Sequence, residues 1–153
     1  MIFCKKCEYA IRALADLAQS RSVIGARELA RRQNAPYHFV GKILQELRAQ
    51  GFLSSIRGAS GGFELARPAD RIRLMEVVVA LKCDYWLHQC IYGYADCSDH
   101  NPCPLHLGWK SIRTQIEAYL NTHTIADLVR FLAEGEQSAA EWSRQRGMQP
   151  PIS

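Results

Sequence analysis

Residues 36–68 read PYHFVGKILQELRAQGFLSSIRGASGGFELARP, and this stretch decides the fold. Val40, Ile43, Leu44 and Leu47 recur at i, i+3, i+4 and i+7, the spacing that lines one face of an α-helix. Pro36 suits the first turn of that helix, where its missing N–H would have no partner anyway. Gly51 supplies the left-handed residue on which helices often stop. Phe52 to Arg57 then reads as a strand, Gly58 to Gly62 as a turn, and Phe63 to Ala66 as the returning strand, halted by Pro68. A helix followed by a glycine-turned basic hairpin is the core of a winged helix.

Upstream, Ala10, Ile11, Leu14, Leu17 and Ala18 form one helical stripe, and Gly25 to Arg32 reads as a short second helix. The second helix, a tight turn and the third helix make a helix-turn-helix. Leu74 to Leu81 is an apolar fourth helix. Residues 83–106 hold four cysteines, three histidines and two prolines, and read as a loop. A helical pattern resumes at Leu107 with Trp109, Ile112, Ile116, Tyr119 and Leu120. Thr124 with Asp127 three residues on is a capping box for a last helix, Ile125 to Ala133. The expected architecture is therefore mainly α with a small β-hairpin wing. A winged helix-turn-helix spans 1–82, a cysteine-rich loop 83–106, a long helix and a terminal helix 107–134, and a flexible tail 135–153.

Charge points to the partner. Between Arg21 and Arg73 there are ten Lys or Arg against four acids, a surplus of six on a chain whose net charge is +4. A basic block of this size on a folded segment suits a polyanion. In a helix-turn-helix the second helix of the motif enters the DNA major groove and the wing grips the flanking backbone. Tyr37, His38 and Lys42 lie off the apolar stripe of the third helix and are the expected base-reading side chains. Arg57, Ser60 and Gly61 of the wing are expected to hold phosphate or the minor groove. The chain has no nucleophile–base motif and no phosphate loop opening a helix, so the reading excludes an enzyme. It has no run of 18 apolar residues and no signal-peptide pattern, so the expected location is the cytoplasm, with no membrane partner.

Six cysteines in a reducing compartment call for metal or redox chemistry rather than disulfides. Cys90, Cys97 and Cys103 are separated by six and five residues. Zinc sites usually pair cysteines two to four residues apart, whereas an iron–sulfur cluster is wider and takes soft ligands from points further apart. The loop contains no close pair. A fourth ligand position falls to His106, three residues beyond Cys103, to Glu8 or to Cys83. Cys4 and Cys7 form a C-x-x-C, read as incidental because Cys7 precedes Glu8 on a helix; Cys83 is read as packed at the end of the fourth helix. A zinc-binding or thiol-redox regulator on the same winged helix is the alternative.

Two segments carry a family resemblance. Val40 to Arg48 resembles the recognition helix, and Arg57-Gly58-Ala59-Ser60-Gly61-Gly62-Phe63-Glu64-Leu65-Ala66-Arg67-Pro68 the wing, of the IscR/NsrR/RirA-type iron–sulfur repressors. The three-cysteine loop, Trp109, the long helix and Thr124-Ile125-Ala126-Asp127-Leu128 extend the match over roughly residues 5–134. The resemblance implies a homodimeric transcriptional repressor that binds an operator in double-stranded DNA. Its long helix crosses that of the partner through Trp109, Ile112, Ile116 and Leu120. It implies a [2Fe–2S] or [4Fe–4S] cluster on Cys90, Cys97 and Cys103, whose state controls operator binding. IscR-like members imply His106 as fourth ligand, NsrR-like members Glu8 from the other subunit. The reading leans to Glu8.

Overall fold

The computed structural model describes residues 4–58, 60–95 and 97–146. Its elements follow the predicted order: α1 (Lys5–Ser20), α2 (Ala26–Arg32), α3 (Tyr37–Ala49), β1 (Leu53–Ile56), β2 (Gly62–Leu65), α4 (Leu74–Ala80), α5 (His106–Thr122) and α6 (Ile125–Arg146). The stripe of α3 is buried as its spacing requires, with Val40, Ile43, Leu44 and Leu47 all in the core. Pro36 caps α3 from outside, its backbone extended, instead of occupying the first turn. At the other end Gly51 has φ 77°, its N–H bonds Arg48 O, and Phe52 N–H bonds Leu47 O, both at 3.0 Å. This is a Schellman stop, and it buries Phe52 against the helix it ends.

The wing is a two-stranded antiparallel sheet in which Leu53 faces Leu65 and Ile56 faces Gly62. It is tied to the link between α1 and α2, because Ile24 and Phe63 exchange both backbone bonds (3.0 and 2.9 Å). Gly62 makes this approach possible: a Cβ there would lie 2.4 Å from Ile24 O. The core runs between these elements, with Leu14 of α1, Leu29 of α2, Leu44 of α3, Val77 and Val78 of α4 and Ile125 of α6 fully enclosed.

α4 also ends in a Schellman turn. Lys82 has φ 55°, Lys82 N–H bonds Val79 O at 2.9 Å, and Cys83 N–H bonds Val78 O at 2.9 Å. The turn drives Cys83 into the core, as the sequence reading expected. The Thr124–Asp127 box forms in both directions: Asp127 N–H donates to Thr124 Oγ1 (3.2 Å) and Thr124 N–H to Asp127 Oδ2 (3.0 Å). The helix it opens does not stop at Ala133. It continues through Gly135 to Arg146, so the segment read as a frayed tail is helical over most of its length. Residues 136–146 are mostly Ala, Glu, Gln and Arg, whose helix propensity outweighs the cost of about 1 kcal/mol for one glycine. Residues 147–153, with Pro150 and Pro151, lie outside the described residues.

Gly62→Ala is expected to force the wing off the Ile24 strand and to cost about 1–3 kcal/mol, the usual range for overpacking. Urea denaturation measures this; an unchanged midpoint would show that the close approach at Ile24 is not required.

Candidate functional site

Two surfaces carry the chemistry. The first is the exposed face of α3 with the wing. Tyr37, His38, Lys42 and Gln45 are exposed on α3, opposite the buried stripe. Arg57 and Ser60 are exposed on the wing, and Gly61 is half-buried in its turn, where its N–H bonds Gly58 O at 3.0 Å. Ala59 lies outside the described residues. The structure adds Arg27, which the sequence reading passed over: its guanidinium lies 5.1 Å from the centre of the Tyr37 ring, stacking α2 on the start of α3.

The basic surplus is partly spent internally. Glu28 takes Arg31 at 2.8 Å and Arg32 at 2.9 Å, and these hydrogen bonds hold its carboxyl down at about 2. Arg67 pairs with Glu76 at 3.0 Å and lies over Phe52. Arg48 donates to Ser55 Oγ at 3.3 Å. Among the described residues, Arg27, Lys42 and Arg57 have no acidic side chain within ion-pairing distance, and nor do Arg21, Arg48, Arg71 and Arg73. Of these, Arg27, Lys42 and Arg57 are exposed on α2, on α3 and on the wing.

The second surface is the cysteine loop. Gly93 (φ 92°) folds the chain back after Cys90, with Gly93 N–H on Cys90 O at 3.1 Å. Desolvation acts to raise the Cys90 thiol, but the N–H groups of Tyr94, Tyr92 and Gly93 and the Cys103 thiol outweigh it and hold it below the ordinary thiol value. Cys103 is pushed up, first by desolvation and then by the neighbouring Cys90 and Cys97, while the Leu105 N–H opposes the rise. The three loop sulfurs thus share one neighbourhood. N–H groups aimed at sulfur stabilise thiolate ligands and tune a cluster held by them.

His106 opens α5 beside these sulfurs and is almost fully buried. Its Nε2 donates to Asp99 Oδ1 at 2.7 Å, since a carboxylate only accepts. In the neutral ring Nδ1 then keeps its lone pair, 3.6 Å from Cys97 Sγ. Asp99 is held in turn by Lys110 at 2.7 Å, and its carboxyl is held down at about 2 by Lys110 first and His106 second. A carboxylate behind an imidazole is the usual support of a ligating histidine. Asp99 and Lys110 were not singled out from sequence. A signal was available for Lys110: His106, Lys110 and Arg113 lie at i, i+4 and i+7, on one stripe of α5.

Glu8 is not brought to the loop within the chain. It pairs with Lys5 at 2.8 Å and lines a groove of about 580 Å³ with Ile11, Arg12, Tyr119, Leu120 and Leu132. Among the described residues, no three His, Cys, Asp or Glu side chains converge tightly enough to hold a single metal ion. Cys4, Cys7 and Cys83 meet at the base of α1, where burial foremost pushes both Cys7 and Cys83 up to about 12. Thiols raised this far stay protonated at neutral pH.

A family model for Rrf2, described as an iron-dependent transcriptional regulator, matches residues 3–130. The chain belongs to the Rrf2 family. It is 28% identical over 127 residues to the HTH-type transcriptional regulator IscR of Vibrio atlanticus, covering 82% of this chain and 73% of that one. Among solved structures it is similar to IscR of T. potens (TM-score 0.68, 24% identity, 86% of this chain and 88% of that one). It is also similar to CymR, the global cysteine regulator of B. subtilis (TM-score 0.69, 25% identity, 84% and 95%). As an Rrf2 protein the chain is a DNA-binding transcriptional regulator and not an enzyme, and its fold is the winged helix of these relatives. No helix among its described residues is long and apolar enough to cross a membrane.

Lys42 and Arg57 are expected to fail differently. Lys42→Ala should lower the ratio of operator to random-duplex binding, by about 1–3 kcal/mol for a lost base contact. Arg57→Ala should weaken binding to every sequence and flatten the salt dependence by about one unit of slope. Fluorescence anisotropy on both duplexes at several salt concentrations reads this. Wild-type behaviour of both variants would remove α3 and the wing as the DNA-reading surface.

Proposed function

We propose that this Rrf2 protein is a cytoplasmic, homodimeric repressor whose operator affinity is set by an iron–sulfur cluster, [2Fe–2S] or [4Fe–4S], on Cys90, Cys97 and Cys103, with His106 as fourth ligand. The observation that carries the reading is the orientation of His106. Its Nε2 is locked to Asp99 and its Nδ1 faces Cys97, which is how a ligating imidazole is held. The donor set fits: three soft sulfurs and one imidazole, with the imidazole Nδ1 3.6 Å from the Cys97 sulfur. When bound, the cluster supplies an iron held by nitrogen rather than sulfur, open to oxidants, nitric oxide or iron loss.

The rest falls to the chain's own residues. Tyr37, His38 and Lys42 read base edges, while Arg57, Ser60 and Gly61 hold the backbone beside them. Two protomers place two such readers on one duplex, and their separation must match the half-site spacing. The homodimer reading is supported by the apolar face left on α5 and α6. Of the expected stripe only Ile112 is exposed; Leu120 is buried in this chain's own core and Ile116 packs against it. Leu107, Tyr119, Phe131 and Leu132 are exposed on the same two helices, and exposed apolar side chains in such number suit an interaction surface. Glu8 borders the same groove, so in a dimer its carboxylate stands at the boundary with the partner.

Anaerobic purification with an absorption spectrum and iron and sulfide counts tests the reading. Cys90→Ala, Cys97→Ala and Cys103→Ala should each abolish the visible absorption, while Cys4→Ala and Cys7→Ala keep it. His106→Ala should perturb the spectrum strongly and Glu8→Gln weakly. The reverse order would move the fourth ligand to the partner's first helix. Stoichiometric zinc without sulfide would favour the zinc regulator instead.

A further inference from the structure

Arg113 lies two turns beyond His106 on α5, and nothing above uses it. Its Nη2 donates to Cys97 Sγ at 3.3 Å, and its Nη1 donates to the Leu87 carbonyl oxygen. Its Nε is buried with no partner. The guanidinium lies 5.9 Å from the Trp109 ring centre, and Trp109 Nε1 donates to Gln89 O at 3.0 Å. α5 therefore grips the loop at Leu87, Gln89 and Cys97, before and after the turn that carries Cys90.

Among the described residues, Arg113 has no carboxylate within ion-pairing distance. A half-buried guanidinium is costly without an anion, and a neutral thiol is a poor acceptor for it. The group that would repay it is a thiolate ligand on an anionic cluster. Arginine suits this place because its rigid planar fork holds two separate acceptors in a fixed geometry, whereas a lysine ammonium is a compact charge on a flexible stem.

We propose that Arg113 is a positioning residue of the cysteine site, clamping α5 to the loop through Leu87 and Cys97 and setting positive charge against the Cys97 sulfur. The charge half of this proposal rests on the cluster reading above; the clamp half does not. Hydrogen bonds and charge near the sulfurs shift a cluster's reduction potential. A cation there favours the more negative, reduced form. Through the clamp, loss of the thiolate at Cys97 loosens α5 itself, so the cluster's state reaches the helix that carries the apolar face.

Arg113→Gln and Arg113→Lys decide it, each compared with wild type. In the anaerobic holoprotein, Arg113→Gln should move the midpoint potential to a more negative value. The expected size is about tenfold in the reduced-to-oxidised ratio at fixed potential, about 59 mV for one electron. Arg113→Lys should restore most of that shift. In the apoprotein, hydrogen exchange of peptides covering residues 84–95 should rise about tenfold or more in Arg113→Gln, the loss expected for charge-assisted hydrogen bonds. Arg113→Lys should not restore that protection. Exchange in α1 and α3 should stay at the wild-type level in both variants, which separates a local effect from misfolding. Wild-type potential and wild-type loop exchange in Arg113→Gln would overturn the proposal. If wild type itself binds no iron and sulfide, the cluster reading fails. The apoprotein arm then stands alone: faster loop exchange upholds the clamp, unchanged exchange removes it.

Discussion

The backbone junction of residues 72–74 with residues 123–125 governs how the parts of the molecule act on one another. Ile125 N–H bonds Ile72 O at 2.9 Å, Leu74 N–H bonds His123 O at 3.0 Å, and Arg73 pairs with Thr124 between them. α4 leaves from this point, the cysteine loop follows, and α5 returns to it. α4, the loop and α5 together are therefore a closed excursion whose two ends are fixed at one place on the DNA-binding domain. A change in its conformation cannot dissipate along a free chain. It must be taken up by the far end of α5, where His106, Lys110 and Arg113 meet the loop, and so by whatever packs on that helix.

The DNA face shows a similar economy. The sequence carries a surplus of basic residues in the winged helix, and three of its ten cations are paired within the chain. One glutamate, Glu28, neutralises two arginines, and Glu76 takes a third. These exposed pairs contribute little to stability. Among the described residues they leave Arg27, Lys42 and Arg57 unpaired on α2, on α3 and on the wing, alongside Arg21, Arg48, Arg71 and Arg73 in the same segment. Net charge thus pointed to the right class of partner, while overstating how many side chains are available to meet it.

What was legible in the sequence is what is local. The stripe of α3, the stop at Gly51, the glycine turn of the wing and the Thr124–Asp127 cap each follow from residues within one or two turns of each other. The length of α6 was not legible, because a polar helix has no apolar stripe to mark it and Gly135 reads as an end. The fourth ligand had no local signal. The proposal of His106 rests on Asp99 behind it and Cys97 before it, and neither neighbour follows from spacing in an irregular loop. Arg113 stood in plain view at i+7 from His106. Its meaning needed Leu87, 26 residues earlier, to be brought beside it.

If the state of the loop sets operator affinity, removing what the loop holds must change it. Anisotropy titration of one anaerobic preparation, before and after removal of iron and sulfide, measures this directly on operator and random duplexes at a single salt concentration. Operator affinity should change at least tenfold while random-duplex affinity stays the same, because the phosphate-binding cations are untouched and only the fit of two readers to two half-sites is lost. Equal operator affinity in the two states would contradict it, as would an equal change on both duplexes.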